Sequence, residues 1–202
     1  MKLHPYTESV MINIKWFIKR CLNTNNSVDN SIQIYLKALI GNGTKYNRGL
    51  NVGAGYYTPI DIWMKKITPN ITHLDTTSLV KLFRPLTGKV IKLDDGNFKF
   101  VIEKFNSEVI YCFHSFSFIQ LDWLAFTKFC SNYEIKLIFD WSTRPSVELN
   151  EGVNKFCVEP NAQNFFSHLL ENGYKIMDLE SHEQISNIKF IKEDKRFLVS
   201  NF

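Results

Sequence analysis

Long apolar runs are missing from this 202-residue chain, and none approaches the roughly 20 residues that a membrane-spanning helix needs. Cysteine is sparse: Cys21, Cys112, Cys130 and Cys157 include no Cys-x-x-Cys pair, which argues against a structural zinc site and leaves one or two disulfides open. No Gly-x-Ser-x-Gly elbow surrounds Ser131, Ser142 or Ser181, so a serine hydrolase of that type is excluded. His182 beside Ser181 is adjacency without geometry. Gly49, Gly53 and Gly55 do not follow a strand at a phosphate-binding spacing on this reading. No nucleotide site and no cofactor are therefore expected. A signal peptide is not evident either, because Met1 to Glu8 is polar and the apolar stretch beyond it is interrupted by Asn13, Lys15 and Lys19. Charge of one sign is also weak. A net charge of +4 suits an acidic polymer without requiring one, and no nucleic-acid partner is expected.

What is present is an ordinary globular composition, 45% hydrophobic and 22% charged, in a chain long enough to bury a substantial core. Seventeen Phe and eight Tyr favour sheet-rich structure. Sequons at Asn25, Asn42 and Asn70 fit a secreted glycoprotein, although a chain so rich in Asn, Ser and Thr supplies such triplets by chance.

The first half reads as one helix followed by turn-separated strands. Val10, Ile14, Phe17, Ile18 and Cys21 make a helical stripe. Alternation predicts strands over 31–40 and 59–67, and a hairpin from 89–93 to 98–102 turning at Asp95-Gly96. Short strands over 109–113 and 115–119 complete a β-sandwich-like module. The second half spells a strand-helix-strand unit. Ile135, Leu137 and Phe139 alternate along a strand ending near Asp140. Ala162, Phe165, Phe166, Leu169 and Leu170 share one helical face, with Pro160 at its entry and Gly173 past its exit. A second strand, 174–180, leads into Ser181-His182-Glu183. The two strands are expected to be parallel neighbours, which puts Asp140 and Glu183 at carboxyl ends, where chemistry gathers in such sheets. A closing hairpin is expected over 187–200.

Six stretches carry a family resemblance. Phe129-Cys-Ser-Asn-Tyr-Glu-Ile-Lys-Leu-Ile-Phe and Pro160-Asn-Ala-Gln-Asn-Phe-Phe-Ser-His-Leu-Leu-Glu-Asn-Gly-Tyr-Lys-Ile resemble the second and third strands of a heparanase barrel. Ile14-Lys-Trp-Phe, Tyr46-Asn-Arg-Gly, Ile60-Asp-Ile-Trp and Leu82-Phe-Arg-Pro-Leu are similar to pieces of the heparanase β-sandwich. The resemblance implies an α+β fold, with a β-sandwich-like part over 1–119 and a partial (β/α) barrel-like segment over 120–202. It also implies an endo-β-glucuronidase relative with Glu183 on the general acid/base and His182 on the Asn before it. The Trp, Gly and Asn of that motif are absent, and no late strand supplies the nucleophile that a retaining glycosidase needs. The expectation is a heparanase-like hydrolase of little or no activity. The alternative is a non-catalytic module that binds sulfated glycan or a partner protein. Heparan sulfate, or a similar acidic glycan, is the implied partner, contacted by Lys65, Lys66 and Arg84. An extracellular or lysosomal location follows from the resemblance alone.

Overall fold

Ile32, Leu36 and Leu39 recur every three to four residues, and in the computed structural model all three are buried while Ile34 stands 56% exposed. That spacing is helical. The structure describes residues 27–54, 59–75, 93–116, 119, 121–143, 154–158, 161–186 and 195–202. Its first element is helix α1 (Ser27–Gly41), where alternation predicts a strand. The same correction applies twice more. Ile60, Met64 and Ile67 are buried along helix α2 (Pro59–Ile67), with Pro59 at a position where its missing N–H costs nothing. Phe98, Val101 and Ile102 are buried along helix α3 (Phe98–Phe105), while Phe100 is 63% exposed. Asp95 and Gly96 do form a turn, but it leads into α3 rather than into a second hairpin strand. Helix α3 ends on Asn106 at φ 46, whose backbone N–H returns to the last turn. Over windows this short, a β-branched residue at every second place mimics a strand, although the buried set has the helical period.

The remaining elements are strands β1 (Arg48–Val52), β2 (Asn70–Leu74), β3 (Val109–Cys112), β4 (Lys136–Thr143), β5 (Lys175–Asp178) and β6 (Lys195–Ser200), with helices α4 (Trp123–Asn132) and α5 (Asn161–Glu171). Helix α4 starts on Asp122, whose carboxylate accepts from the Leu124 and Ala125 N–H groups. Helix α5 closes as expected: Gly173 adopts φ 79, and the Gly173 and Tyr174 N–H groups bond back to Leu170 and Leu169.

All six strands form one sheet, in the order β2-β1-β3-β4-β6-β5. Strands β1 to β4 are mutually parallel. Strand β6 is antiparallel to both β4 and β5, so β4 and β5 run parallel but are not neighbours. The expectation of adjacent strands fails because the end of the chain inserts between them. There is no β-sandwich followed by a barrel fragment: β3 pairs directly with β4 across residue 119, and the resulting α/β sheet carries helices on both faces. The helix predicted from the Val10 to Cys21 stripe, the strand at 89–92 and the first arm of the closing hairpin lie outside the described residues.

Alternate side chains of the strands feed two cores. Leu137, Phe139, Trp141, Phe197 and Val199 join α3, α4 and α5 on one face. Val109, Tyr111, Ile138 and Leu198 join α1 and α2 on the other. The first face holds most of the aromatic rings. Phe139 stacks on Phe116 at 5.0 Å and lies 5.4 Å from Trp123, and Phe156 meets Phe165 at 5.0 Å. Cys112, Cys130 and Cys157 are buried there, and no disulfide joins these three.

The packing gives a direct test. Phe139→Ala, at a fully buried position, is expected to cost about 3–5 kcal/mol in urea denaturation. Ile34→Ala, on the exposed face of α1, should stay within about 0.5 kcal/mol. Similar losses at both sites would contradict this arrangement.

Candidate functional site

The chain runs from β1 to β2 on one side and then places β3 on the other side of β1. Such a reversal opens a crevice at the carboxyl ends of the two central strands, because the loops leaving them diverge to opposite faces. The elements that form this edge are specific. Gly53 follows β1 immediately and adopts φ 63. A Cβ built on it would lie 2.3 Å from the Ser115 Cβ and 2.4 Å from its Oγ. Only glycine serves both the left-handed turn and this close approach. Ser115 Oγ in turn donates to the Val52 carbonyl at 3.1 Å, which fastens the loop after β3 onto the end of β1. The Ala54 N–H bonds to the Leu74 carbonyl at 3.1 Å. Since Val52 pairs with Leu74 in register, half-buried Asp75 lies level with Gly53 at the edge.

One strand further along, three titratable side chains meet. The backbone N–H of His114 donates to Asp140 Oδ1 at 2.5 Å, and His114 itself is held at φ 59. His114 Nε2 lies 2.6 Å from Asp29 Oδ1, while Nδ1 lies 3.6 Å from Asp140 Oδ2. The side chains of Asp29, His114 and Asp140 are 14%, 14% and 11% exposed. Asp29 belongs to the first turn of α1, and that end of the helix is further tied down by Ser31 Oγ donating to the Leu179 carbonyl at 2.9 Å. Nearby, burial pushes the Cys112 thiol up to about 12, with the Ser115 hydrogen bond opposing the shift and the Asp140 charge adding to it. Cys112 is therefore a protonated thiol at neutral pH, not a nucleophile.

The residues singled out in the sequence fall elsewhere, Asp140 excepted. Glu183 is exposed in the turn after edge strand β5, where its carbonyl accepts from the Asp178 N–H and its own N–H is 3.3 Å from Ser181 Oγ. Strands β4 and β6 separate that turn from β3, so Glu183 and the crevice at Gly53 lie on different parts of the edge. Lys65 and Lys66 are exposed in the last turn of α2, and the Lys66 ammonium sits 4.3 Å from the Trp63 ring centroid. Arg84 lies outside the described residues. Among the described residues, no group of three or more His, Cys, Asp or Glu side chains is arranged to hold a metal ion. No described helix is long and apolar enough to cross a membrane.

The expectation that Gly53 follows no strand, and so marks no nucleotide site, is corrected by β1, which ends directly before it. Its signal was Leu50-Asn-Val-Gly-Ala-Gly55 followed about twenty residues later by Asp75, a spacing that matters only when a strand precedes the glycines. His114 and Asp29 had no local signal, being 85 residues apart in the chain.

No family model matches the chain. A type II pantothenate kinase from Bacillus cereus (strain ATCC 10987 / NRS 248) is 31% identical over 80 residues, which are 39% of this chain and 27% of that protein. The chain thus spans about a quarter of that relative's length, too little to carry its activity across. Among solved structures, the chain is similar to an S-adenosylmethionine-dependent methyltransferase from Clostridium acetobutylicum ATCC 824. The TM-score is 0.53 and the identity 12%, covering 97% of this chain and 98% of that one. It is also similar to the N-terminal domain of EvdMO1 with SAH bound, at a TM-score of 0.50 and 14% identity, covering 87% and 80%. The fold is the Rossmann-like α/β fold that these methyltransferases have. The heparanase resemblance is overturned by this likeness and by the single sheet. The glycosidase reading and the heparan sulfate partner that rested on it are withdrawn.

The crowding at Gly53 yields a double-mutant test. Gly53→Ala should destabilise the protein by about 2–4 kcal/mol through the left-handed φ and the collision with Ser115. Adding Ser115→Gly should recover part of that loss, with a coupling of about 0.5–3 kcal/mol in denaturant unfolding. Strictly additive effects would mean that the two loops do not touch.

Proposed function

We propose that this chain binds S-adenosylmethionine at the carboxyl edge beside β1 and transfers its methyl group to an acceptor. One observation carries the reading. A left-handed glycine turn directly follows the central strand of a reversing parallel sheet, and an acidic residue closes the neighbouring strand at the same level. In nucleoside-binding sheets the first glycine makes the tight turn, and the acid after the next strand accepts from ribose hydroxyls. The residues present fit that group. Gly53 makes the turn, a second glycine follows at position 55 of the sequence, and the Asp75 carboxylate is the ribose acceptor. Thr58 stands where a dinucleotide site has its third small residue, which favours a single-nucleoside ligand over a nicotinamide dinucleotide. The bound group would supply a methyl carbon activated by its positive sulfur. The protein's part is to seat the nucleoside and to narrow the crevice from the β3 side, where Ser115 docks on Val52. The likeness to two methyltransferase folds supports the same choice.

Titration calorimetry with S-adenosylhomocysteine tests this. Binding is expected, with Asp75→Ala weakening it about 10-fold or more through the lost charged acceptor. NAD should bind far more weakly. A wild-type protein that takes up heat with NAD and none with S-adenosylhomocysteine would refute the reading.

A further inference from the structure

We infer that His114 is the proton acceptor of the methyl transfer proposed above, with Nδ1 the accepting atom, and that the acceptor is a nucleophile bearing a proton to lose, such as an alcohol, a phenol or an amine. The inference rests on that reading of the site. Its support is the way three separate parts of the fold fix one imidazole. A carboxylate only accepts hydrogen bonds, so the 2.6 Å contact to Asp29 Oδ1 places the ring hydrogen on Nε2. In the neutral ring Nδ1 then keeps its lone pair, and at 3.6 Å from Asp140 Oδ2 it is beyond hydrogen-bond length from that oxygen. A carboxylate on one nitrogen and a free lone pair on the other is the arrangement in which an imidazole serves as a base. Asp140 contributes a second charge beside Nδ1, positioned to stabilise the imidazolium once a proton arrives. Asp29 and Asp140 are thus positioning residues.

The location is also the one the chemistry needs. His114 directly precedes Ser115, which fastens the end of β3 to the end of β1, and its ring is held between Asp29 and Asp140 at that same carboxyl edge. At 14% exposure it is sheltered yet reachable by a small acceptor. The step balances. The acceptor's lone pair forms the new bond to the methyl carbon as the carbon–sulfur bond breaks, and its electron pair stays on sulfur. The acceptor's proton passes to His114 Nδ1 and then to solvent.

Two measurements test this on the full chain. The first is methyl transfer from radiolabelled S-adenosylmethionine to phenol and to benzylamine, in wild type, His114→Asn and Asp29→Asn, with calorimetry of S-adenosylhomocysteine alongside. Asn tolerates the left-handed backbone at 114, and Asn at 29 keeps an oxygen that can accept from Nε2. The expected result is a loss of about 100-fold in rate for His114→Asn, a smaller loss for Asp29→Asn, and nucleoside affinity within about 2-fold throughout. A wild-type rate in His114→Asn overturns the inference. The second reads the ring directly, by two-bond proton–nitrogen correlation spectra at neutral pH. A hydrogen on Nε2 with Nδ1 bare, and a mixed or reversed tautomer in Asp29→Asn, sustains the inference even where neither probe is methylated. A hydrogen on Nδ1 in the wild type overturns it. If S-adenosylhomocysteine does not bind the wild type at all, the cofactor reading falls and this inference falls with it.

Discussion

The missing side chain of Gly53 allows the sheet to reverse its direction of growth. Strand β1 is the only described strand with a parallel neighbour on each side that comes later in the chain. Gly53 turns the chain as it leaves β1, and the loop leaving β3 crosses the same space at Ser115. A single methyl group at Gly53 would lie inside the Ser115 side chain. With hydrogen there, Ser115 reaches the Val52 carbonyl and the two central strands end at a common level. The geometry of the edge depends on that contact, because His114 and Ser115 are consecutive residues.

The two faces of the sheet hold that edge in place by different means. The face under α3, α4 and α5 is an interlocked set of rings, with Phe116 packed against Trp123, Phe139 and Phe165. Large rigid side chains bury much area at little rotamer entropy, and they anchor the loop after β3 from below through Phe116. The opposite face is mainly aliphatic, and its polar links tie distant segments together. Tyr35 meets Ser200 at 2.7 Å and Thr68 meets Tyr111 at 2.9 Å, both through hydroxyl groups. The Tyr35–Ser200 and Ser31–Leu179 bonds fix how far α1 extends over the carboxyl edge, and so where Asp29 sits.

How much of this the sequence disclosed follows from which interactions are local. Strands β3 and β4, helix α5 and the Gly173 stop are written in short-range patterns, and the structure has them. Helices α1, α2 and α3 were read as strands because Ile and Phe at every second position outweighed the helical spacing of the buried residues. The place of β6 beside β4 could not be read, since its β4 partners Ile138 to Thr143 lie more than 50 residues away. The heparanase resemblance drew on α4, β4 and α5, a helix-strand-helix run that a barrel and an open sheet write alike. It favoured Glu183, whose turn lies at the far edge. The residues at this edge come from five segments, and only the Gly-x-Gly spacing ahead of Asp75 could have pointed to them, once β1 was recognised as a strand.

The conformation of His114 links backbone strain to charge. A non-glycine residue held in the left-handed region costs on the order of 1–3 kcal/mol, although histidine enters it more readily than most residues. The compensating interaction is the short bond from the His114 N–H to Asp140, a hydrogen bond to a charged acceptor of about 1.5–3 kcal/mol. The two magnitudes match, so the turn exists because the carboxylate does. That carboxylate uses one oxygen on the backbone and turns the other toward the ring. A neutral acceptor at 140 would still bond the N–H but would present no charge to the imidazole. The backbone turn and the electrostatics of the ring are therefore set by a single side chain on β4, which is an economical way for a rigid strand to position a titratable group at the end of its neighbour.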